Sequence, residues 1–183
     1  LLHAVEAELL DQASQLFLDE LTPDTRFDEG YFRSLHRRTF ESLYPWAGEY
    51  RTEDMSKGGS LFCRGQYVPD ESQRIFKALE DEDFLRGARG WPAEQFAERL
   101  AYYQGELIAL HPFYELNGRI TRLLFDLIAL SNGYSPVDYS RTLDADEEGN
   151  NAYIQASIAC VRNADARPLE RLVLAGLSRL DTD

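Results

Sequence analysis

His111-Pro112-Phe113-Tyr114-Glu115-Leu116-Asn117-Gly118-Arg119-Ile120-Thr121-Arg122 joins two segments of helical periodicity. Upstream, Phe96, Leu100, Tyr103, Leu107 and Leu110 recur three and four residues apart and predict a helix over 93–110. Downstream, Ile120, Leu123, Leu124, Leu127 and Ile128 give 119–131 an apolar stripe, and Asn132-Gly133 is a stop signal. Arg119, Arg122 and Asp126 fall on the opposite, polar face of that second helix. The stretch is therefore a helix–loop–helix junction that carries a histidine, a carboxylate, an Asn-Gly pair and two arginines.

Working outward, Leu2, Val5, Leu9, Ala13, Leu16 and Phe17 predict an amphipathic helix over 1–19, broken by Pro23 and the polar Thr22–Asp28 stretch. A second helix is expected around 29–44, with Phe32, Leu35, Thr39, Phe40 and Leu43 on one stripe and a stop at Pro45. His36 lies on that stripe and reads as a hydrogen-bonded core histidine. Gly58-Gly59 and Gly65 flank Leu61-Phe62-Cys63, which suggests a small β-hairpin, with an ordinary surface loop as the alternative. Ile75, Phe76 and Leu79 predict a helix over 70–80. Glu80–Asp83 reads as a solvated acidic run, and Gly87, Gly90 and Pro92 mark a loop. Asp144–Glu148 is a second acidic loop, without EF-hand spacing. Helices are expected at 150–162 and 168–180. The sum is one mostly α domain over 1–183 with a small hairpin.

A chain of 183 residues supports one well-buried core. Its net charge of −13 repels phosphate backbones and argues against a nucleic-acid partner. A nucleotide is a different case, because a magnesium ion and a few local arginines can hold it. Cys63 and Cys160 form neither a disulfide framework nor a metal-ligand spacing. They fit a reducing compartment, so a cytoplasmic location is expected, with a secreted effector fragment as the other case. No apolar run approaches the roughly 18 residues of a helical membrane span. The histidines are His3, His36 and His111, and no two stand at helical ligand spacing, which argues against a metal hydrolase.

In the junction, Asn117 stands where an N-cap would, and a helix start offers free N–H groups and partial positive charge that suit phosphate. Arg119 and Arg122 share a face there, as phosphate clamps would. Glu115 stands just outside, where a carboxylate could hold Mg2+ bridging phosphate oxygens. His111 ends the preceding helix and can accept a proton near neutral pH. Each has an ordinary structural role when taken singly: a helix cap for His111, surface ion pairs for the others. Together at this spacing they describe attack of a hydroxyl on a nucleotide phosphate.

The junction also resembles the signature of the Fic (filamentation induced by cAMP) family, His-x-Phe-x-(Asp/Glu)-Gly-Asn-Gly-(Arg/Lys)-x-x-Arg. Here it reads His111, Phe113, Glu115, Leu116 in place of glycine, Asn117, Gly118, Arg119 and Arg122. Leu35-His36 with Phe40, then Pro45-Trp46-Ala47-Gly48 and Arg51, is similar to the family's upstream block. Lys57 with Phe62 resembles its flap, and Tyr153 to Leu169 its closing helices, so the likeness covers roughly 30–175.

The resemblance implies a mostly α Fic fold, a bundle of about eight helices with a hairpin flap over the active site. It implies a protein adenylyltransferase that moves AMP from Mg2+-ATP to a Ser, Thr or Tyr hydroxyl of a target protein and releases pyrophosphate. By position, His111 would be the base and Glu115 the magnesium ligand. Glu115, Leu116, Asn117 and Gly118 would line the α-phosphate site, and Arg119 and Arg122 would bind the outer phosphates. Tyr153 would border the adenine. The flap Ser60, Leu61, Phe62, Cys63 and Arg64 would align the target chain by strand addition.

Leu116 departs from the pattern. If its place needs positive φ, leucine costs about 1–2 kcal/mol there. That leaves other phosphoryl or nucleotidyl transfer, AMP removal, or nucleotide binding without turnover as alternatives. The family's inhibitory pattern, (Ser/Thr)-x-x-x-Glu-(Gly/Asn), matches only at Thr25–Gly30, where Glu29 reads instead as a first-turn carboxylate. Inhibition is then expected from a separate, antitoxin-like protein or from residues outside this chain, unless the enzyme is simply uninhibited.

Overall fold

The computed structural model describes residues 1–142 and 144–180. Its elements are α1 (Leu2–Glu20), α2 (Glu29–Phe40), β1 (Ser56–Lys57), β2 (Ser60–Leu61), α3 (Val68–Asp81), α4 (Ala93–Leu110), α5 (Asn117–Ser131), α6 (Ala152–Asn163) and α7 (Arg167–Gly176). Among the described residues seven α-helices stand against the expected eight or so, and the fold is mostly α with one small antiparallel hairpin.

The spine is α4. Phe96, Leu100, Tyr103, Gln104, Leu107 and Leu110 are all buried, so the helix is covered on several sides. It packs against α3, α5, α6 and α7. Gly105 lets α6 come close, since a Cβ there would lie 3.0 Å from the Cys160 sulfur. The interior position of α4 fixes its C-terminal end, and that end carries His111.

The short helix α2 is capped by Asp28, whose carboxylate accepts from the Tyr31 N–H at 2.9 Å. It ends at Phe40, four residues before the expected stop, and tight turns carry the chain to Ala47. The hairpin is real. Gly58 and Gly59 take φ of +55° and +76°, the pair of left-handed residues that a two-residue hairpin turn with the right twist requires. Ser56 pairs with Leu61 and Lys57 with Ser60.

Four expectations are corrected. The apolar count is only partly right for the inner face of α1: Ala13 and Phe17 are buried as expected, but Leu2, Val5 and Leu16 are exposed and Glu6 is buried. The acidic run 80–83 is paired and not merely solvated: Glu80 meets Arg26, Asp81 meets Lys77, Glu82 meets Arg99 and the Tyr103 hydroxyl, and Asp83 meets Arg86. The last helix ends at Gly176 and not near 180. A Cβ at Gly176 would lie 2.4 Å from the Asp138 carbonyl, and the chain beyond it runs extended, bridging Arg179 to Tyr134. Asn117 is the first residue of α5 and not its cap; Leu116 holds the cap position without a side-chain bond.

Candidate active site

The sequence between α4 and α5 has no regular structure of its own, so its shape depends on side chains that bond its backbone. Asn117 folds back: its Oδ1 accepts from the Phe113 N–H, and its Nδ2 donates to the Phe113 carbonyl, both at 2.8 Å. His36, fully buried, accepts the Gly48 N–H on Nδ1 at 2.9 Å. Nε2 is therefore the protonated nitrogen of a neutral ring, and it donates to the Glu115 carbonyl at 3.1 Å. The same ring stacks on Phe113 at 4.0 Å. Burial lowers the His36 pKa to about 4.

Arg51 is the second anchor, with only 1% of its surface exposed. Its guanidinium donates to four carbonyls: His111 and Cys63 at 2.6 Å, Glu53 at 2.7 Å and Leu110 at 2.9 Å. One side chain thus ties the base of the hairpin to the end of α4. The Cys63 N–H adds a bond to the Ala109 carbonyl at 3.0 Å.

These anchors enforce two left-handed residues. His111 has φ +46° and Leu116 has φ +69°. Neither is glycine, so each carries a cost of about 1–3 kcal/mol that the surrounding bonds must offset. The His111 turn ends α4 and directs its imidazole into an open cleft of about 440 Å³. The Leu116 turn starts α5 so that Gly118, Arg119 and Arg122 line the same cleft.

The cleft has three walls. The junction supplies His111, Tyr114, Glu115, Leu116, Asn117 and Gly118, and α5 adds Arg119 and Arg122. The hairpin side supplies Met55, Ser56, Lys57 and Phe62. The third wall, α1, supplies His3 and Glu6. Phe62 lies flat on His111, with ring centroids 3.8 Å apart and planes 5° from parallel. Burial lowers the His111 pKa to about 4, helped by the positive charges of Arg51 and Lys57. Its ring is therefore neutral at pH 7 and able to take a proton.

Anion-binding capacity lies in the same cleft. Arg119 Nη1 is buried without a hydrogen-bond partner among the described residues. A guanidinium nitrogen removed from water and left unpaired suits an incoming oxyanion. The Arg122 guanidinium sits 5.3 Å from the Tyr153 ring centre. Tyr153 accepts from Gln104 Nε2 at 2.9 Å, and Gln104 Oε1 accepts from the Tyr139 hydroxyl at 3.1 Å. This buried chain backs Arg122 from the core.

The structure thus gathers His111, Glu115, Leu116, Asn117, Gly118, Arg119 and Arg122 in one cleft. Tyr153 stands behind Arg122 and not on the cleft wall. Of the flap residues, Phe62 faces His111. Leu61 and Cys63, with Arg64, line a separate groove on the outer side of the hairpin toward α3 and α4. Glu29 lies elsewhere, in the first turn of α2, where it accepts from the Ser72 hydroxyl at 2.5 Å.

Two site residues escaped the sequence reading. Glu6, 5% exposed, accepts from the Tyr44 hydroxyl at 2.5 Å and pairs with His3 at 3.1 Å. The Tyr44 bond chiefly holds its pKa down, with smaller help from the charge of Arg119. The signal was a lone glutamate four residues before Leu10 on the face that Ala13 and Phe17 continue. The other is Gln104, whose burial within an apolar helix marks a bonded polar group.

The donor set fits a magnesium ion that arrives with its nucleotide. Among the described residues no group of three or more His, Cys, Asp or Glu side chains could hold a metal alone. Mg2+ is commonly held by one or two carboxylates together with substrate phosphates, and Glu115 stands exposed in the same cleft as Arg119, whose Nη1 has no partner among the described residues.

Comparisons with known proteins agree with this geometry. The Fic/DOC family model matches residues 26–129, over half of the chain. The chain is 35% identical over 144 residues to "Probable protein adenylyltransferase y4lH" of Sinorhizobium fredii, covering 74% of each chain. It is 36% identical over 116 residues to protein adenylyltransferase VbhT of Bartonella schoenbuchensis, covering 63% of this chain and 23% of that one. The chain thus spans under a quarter of that relative, and half of the Fic protein it matches in Escherichia coli. Among solved structures, the N-terminal Fic domain of a VirB-translocated Bep effector from Bartonella quintana, with bound ADP, superposes with a TM-score of 0.81 at 22% identity, covering 98% of this chain and 86% of that one. With the family model over 26–129 and its signature residues gathered in one cleft, the chain belongs to the Fic/DOC family.

Proposed function

We propose that this chain is a protein adenylyltransferase that moves AMP from ATP to a hydroxyl of a target protein. One observation carries the reading: a neutral imidazole at the end of α4 shares a cleft with a buried guanidinium nitrogen at the start of α5, and among the described residues neither has a hydrogen-bond partner. A base and an anion clamp in one open cleft are what hydroxyl attack on a phosphate requires.

In the proposed reaction, His111 takes the proton of the target hydroxyl. The hydroxyl oxygen bonds to the α-phosphorus as the bond from that phosphorus to the bridging oxygen breaks, and pyrophosphate leaves. Gly118 and the first N–H groups of α5 receive negative charge on the α-phosphate. Arg119 and Arg122 hold the outer phosphates, and Glu115 would hold the magnesium. Bound there, the ion would supply charge neutralisation to the phosphates.

The target chain docks on the hairpin. Residues along an antiparallel ladder alternate, so the Leu61 N–H and C=O point away from β1 and offer a free edge. The Leu61 side chain is 57% exposed beside that edge. A separate antitoxin-like inhibitor belongs to this reading, because the one glutamate that matches the inhibitory pattern, Glu29, sits in the first turn of α2 bonded to Ser72 and does not line the cleft.

A second reading rests on Leu116, whose side chain stands where the family has none, on the cleft wall. It would keep the base and alter the group transferred, as in phosphate transfer. Parallel incubation with α-labelled and γ-labelled ATP separates the two. Label retained from the α position alone supports adenylyl transfer; label retained from the γ position overturns it.

A further inference from the structure

Isolated two-stranded hairpins are marginal in water. β1 and β2 have two residues each and a glycine-only turn, yet Ser60 is 4% exposed and Phe62 lies against His111. Something beyond the ladder holds the hairpin down. At its base this is Arg51, bonded to the Cys63 carbonyl. At its tip it is Arg162, on α6, a hundred residues away in sequence. Arg162 Nε donates to the Ser60 hydroxyl at 3.0 Å, and its Nη2 donates to the Gly58 carbonyl at 3.3 Å. The guanidinium also closes on the turn itself, since a Cβ on Gly59 would lie 3.2 Å from Nη2. The contact is specific to the tip: it bonds a turn carbonyl and the inward hydroxyl of β2, and leaves the outward main-chain groups of Leu61 free.

We propose that Arg162 is a positioning residue that latches the hairpin tip to α6, keeping Phe62 on His111 and presenting the Leu61 edge to the target chain. The latch is read from the hydrogen bonds themselves; its effect on catalysis rests on the adenylyl-transfer reading above. The nucleotide is held by the start of α5, so the latch acts on the target side. Loss of Arg162 should therefore raise the KM for target far more than it changes ATP affinity. Arg162 is exposed, so its replacement should leave the fold intact.

The test compares wild type, Arg162→Ala, Arg162→Lys, Ser60→Ala and the Arg162→Ala/Ser60→Ala double variant in the chain of 183 residues. Amide hydrogen exchange over 55–63 reads the latch directly. Exchange about tenfold faster in Arg162→Ala is expected, the size of one or two part-exposed hydrogen bonds. Partial restoration in Arg162→Lys and non-additivity with Ser60→Ala should follow. Unchanged exchange overturns the latch. Transfer of α-labelled AMP to unstructured peptides bearing one tyrosine, threonine or serine reads its function. If wild type is active and Arg162→Ala shows an unchanged peptide KM, or loses ATP affinity equally, the positioning role is overturned. If wild type transfers nothing, the adenylyl-transfer reading fails, and the exchange data still decide whether Arg162 holds the hairpin.

Discussion

The buried face of α2 and the cleft at the end of α4 each hold a histidine whose pKa burial lowers to about 4. The two regions differ in what the ring nitrogens meet. Both nitrogens of His36 are bonded, one to the Gly48 N–H and one to the Glu115 carbonyl. Neither ring nitrogen of His111 bonds a described residue; the ring is covered on one face by Phe62 and faces the cleft. A depressed pKa therefore does not identify a base. It makes a histidine neutral, and the free nitrogen makes it available. His36 uses its neutrality to fix a tautomer and hold the loop that aims His111.

The largest expected effect is on stability. His36→Ala leaves a buried N–H and a carbonyl unpaired and opens a cavity, and should cost about 2–4 kcal/mol. His111→Ala should cost under about 1 kcal/mol, because it removes no hydrogen bond of the ring. Urea unfolding of both variants checks this, and equal losses would break the comparison.

Acid comes next. Below about 6.5 the unfolded chain binds protons on these histidines that the folded chain refuses, so the folded state is fully favoured above pH 6.5 and loses stability as pH falls toward 4. For fully buried His36 the loss is at most about 3 kcal/mol. Unfolding followed from pH 7 to pH 4 should therefore flatten in His36→Gln.

Nucleotide affinity sharpens the comparison from the cleft side. Arg119→Ala or Arg122→Ala should each weaken ATP binding by about 1.5–3 kcal/mol, the value of a charge-assisted contact. His111→Ala should leave it nearly unchanged. Titration calorimetry with Mg2+-ATP decides; full affinity in both arginine variants would assign them to structure alone.

The smallest effect is at Leu116. Leu116→Gly relieves a left-handed leucine worth about 1–2 kcal/mol and should raise transfer or shift nucleotide preference. Lower activity with an intact fold would mean that leucine fits a different nucleotide pose.

Much of this was legible in the sequence, for a physical reason. Helices α4 and α5 announce themselves because their apolar residues repeat at the helical period. The junction is legible because its groups lie within one short stretch. Hairpin and turn follow from Gly58-Gly59, which alone tolerate those dihedrals cheaply. What sequence could not give was pairing across distance. Arg51 bonds carbonyls, which every residue has, so no partner residue type betrays it. Glu6 was hidden because counting apolar residues passes over a carboxylate, even one on the buried face that Ala13 and Phe17 mark. The contact of Tyr153 with the Arg122 guanidinium was equally out of reach, since a helical position does not say which side chain of another helix a ring will meet. Arg162 meets the hairpin only because α6 packs across α4 at Gly105.

The central claim is that His111 is the base and α-phosphate the group attacked. Intact-mass spectrometry of wild type and His111→Ala, each incubated with Mg2+-ATP and a pool of hydroxyl-bearing peptides, tests it most directly. The account predicts adducts of one AMP with wild type and a loss of about 10²–10⁴-fold in rate with His111→Ala. AMP adducts forming at equal rates with both proteins, or adducts of phosphate mass, would contradict it.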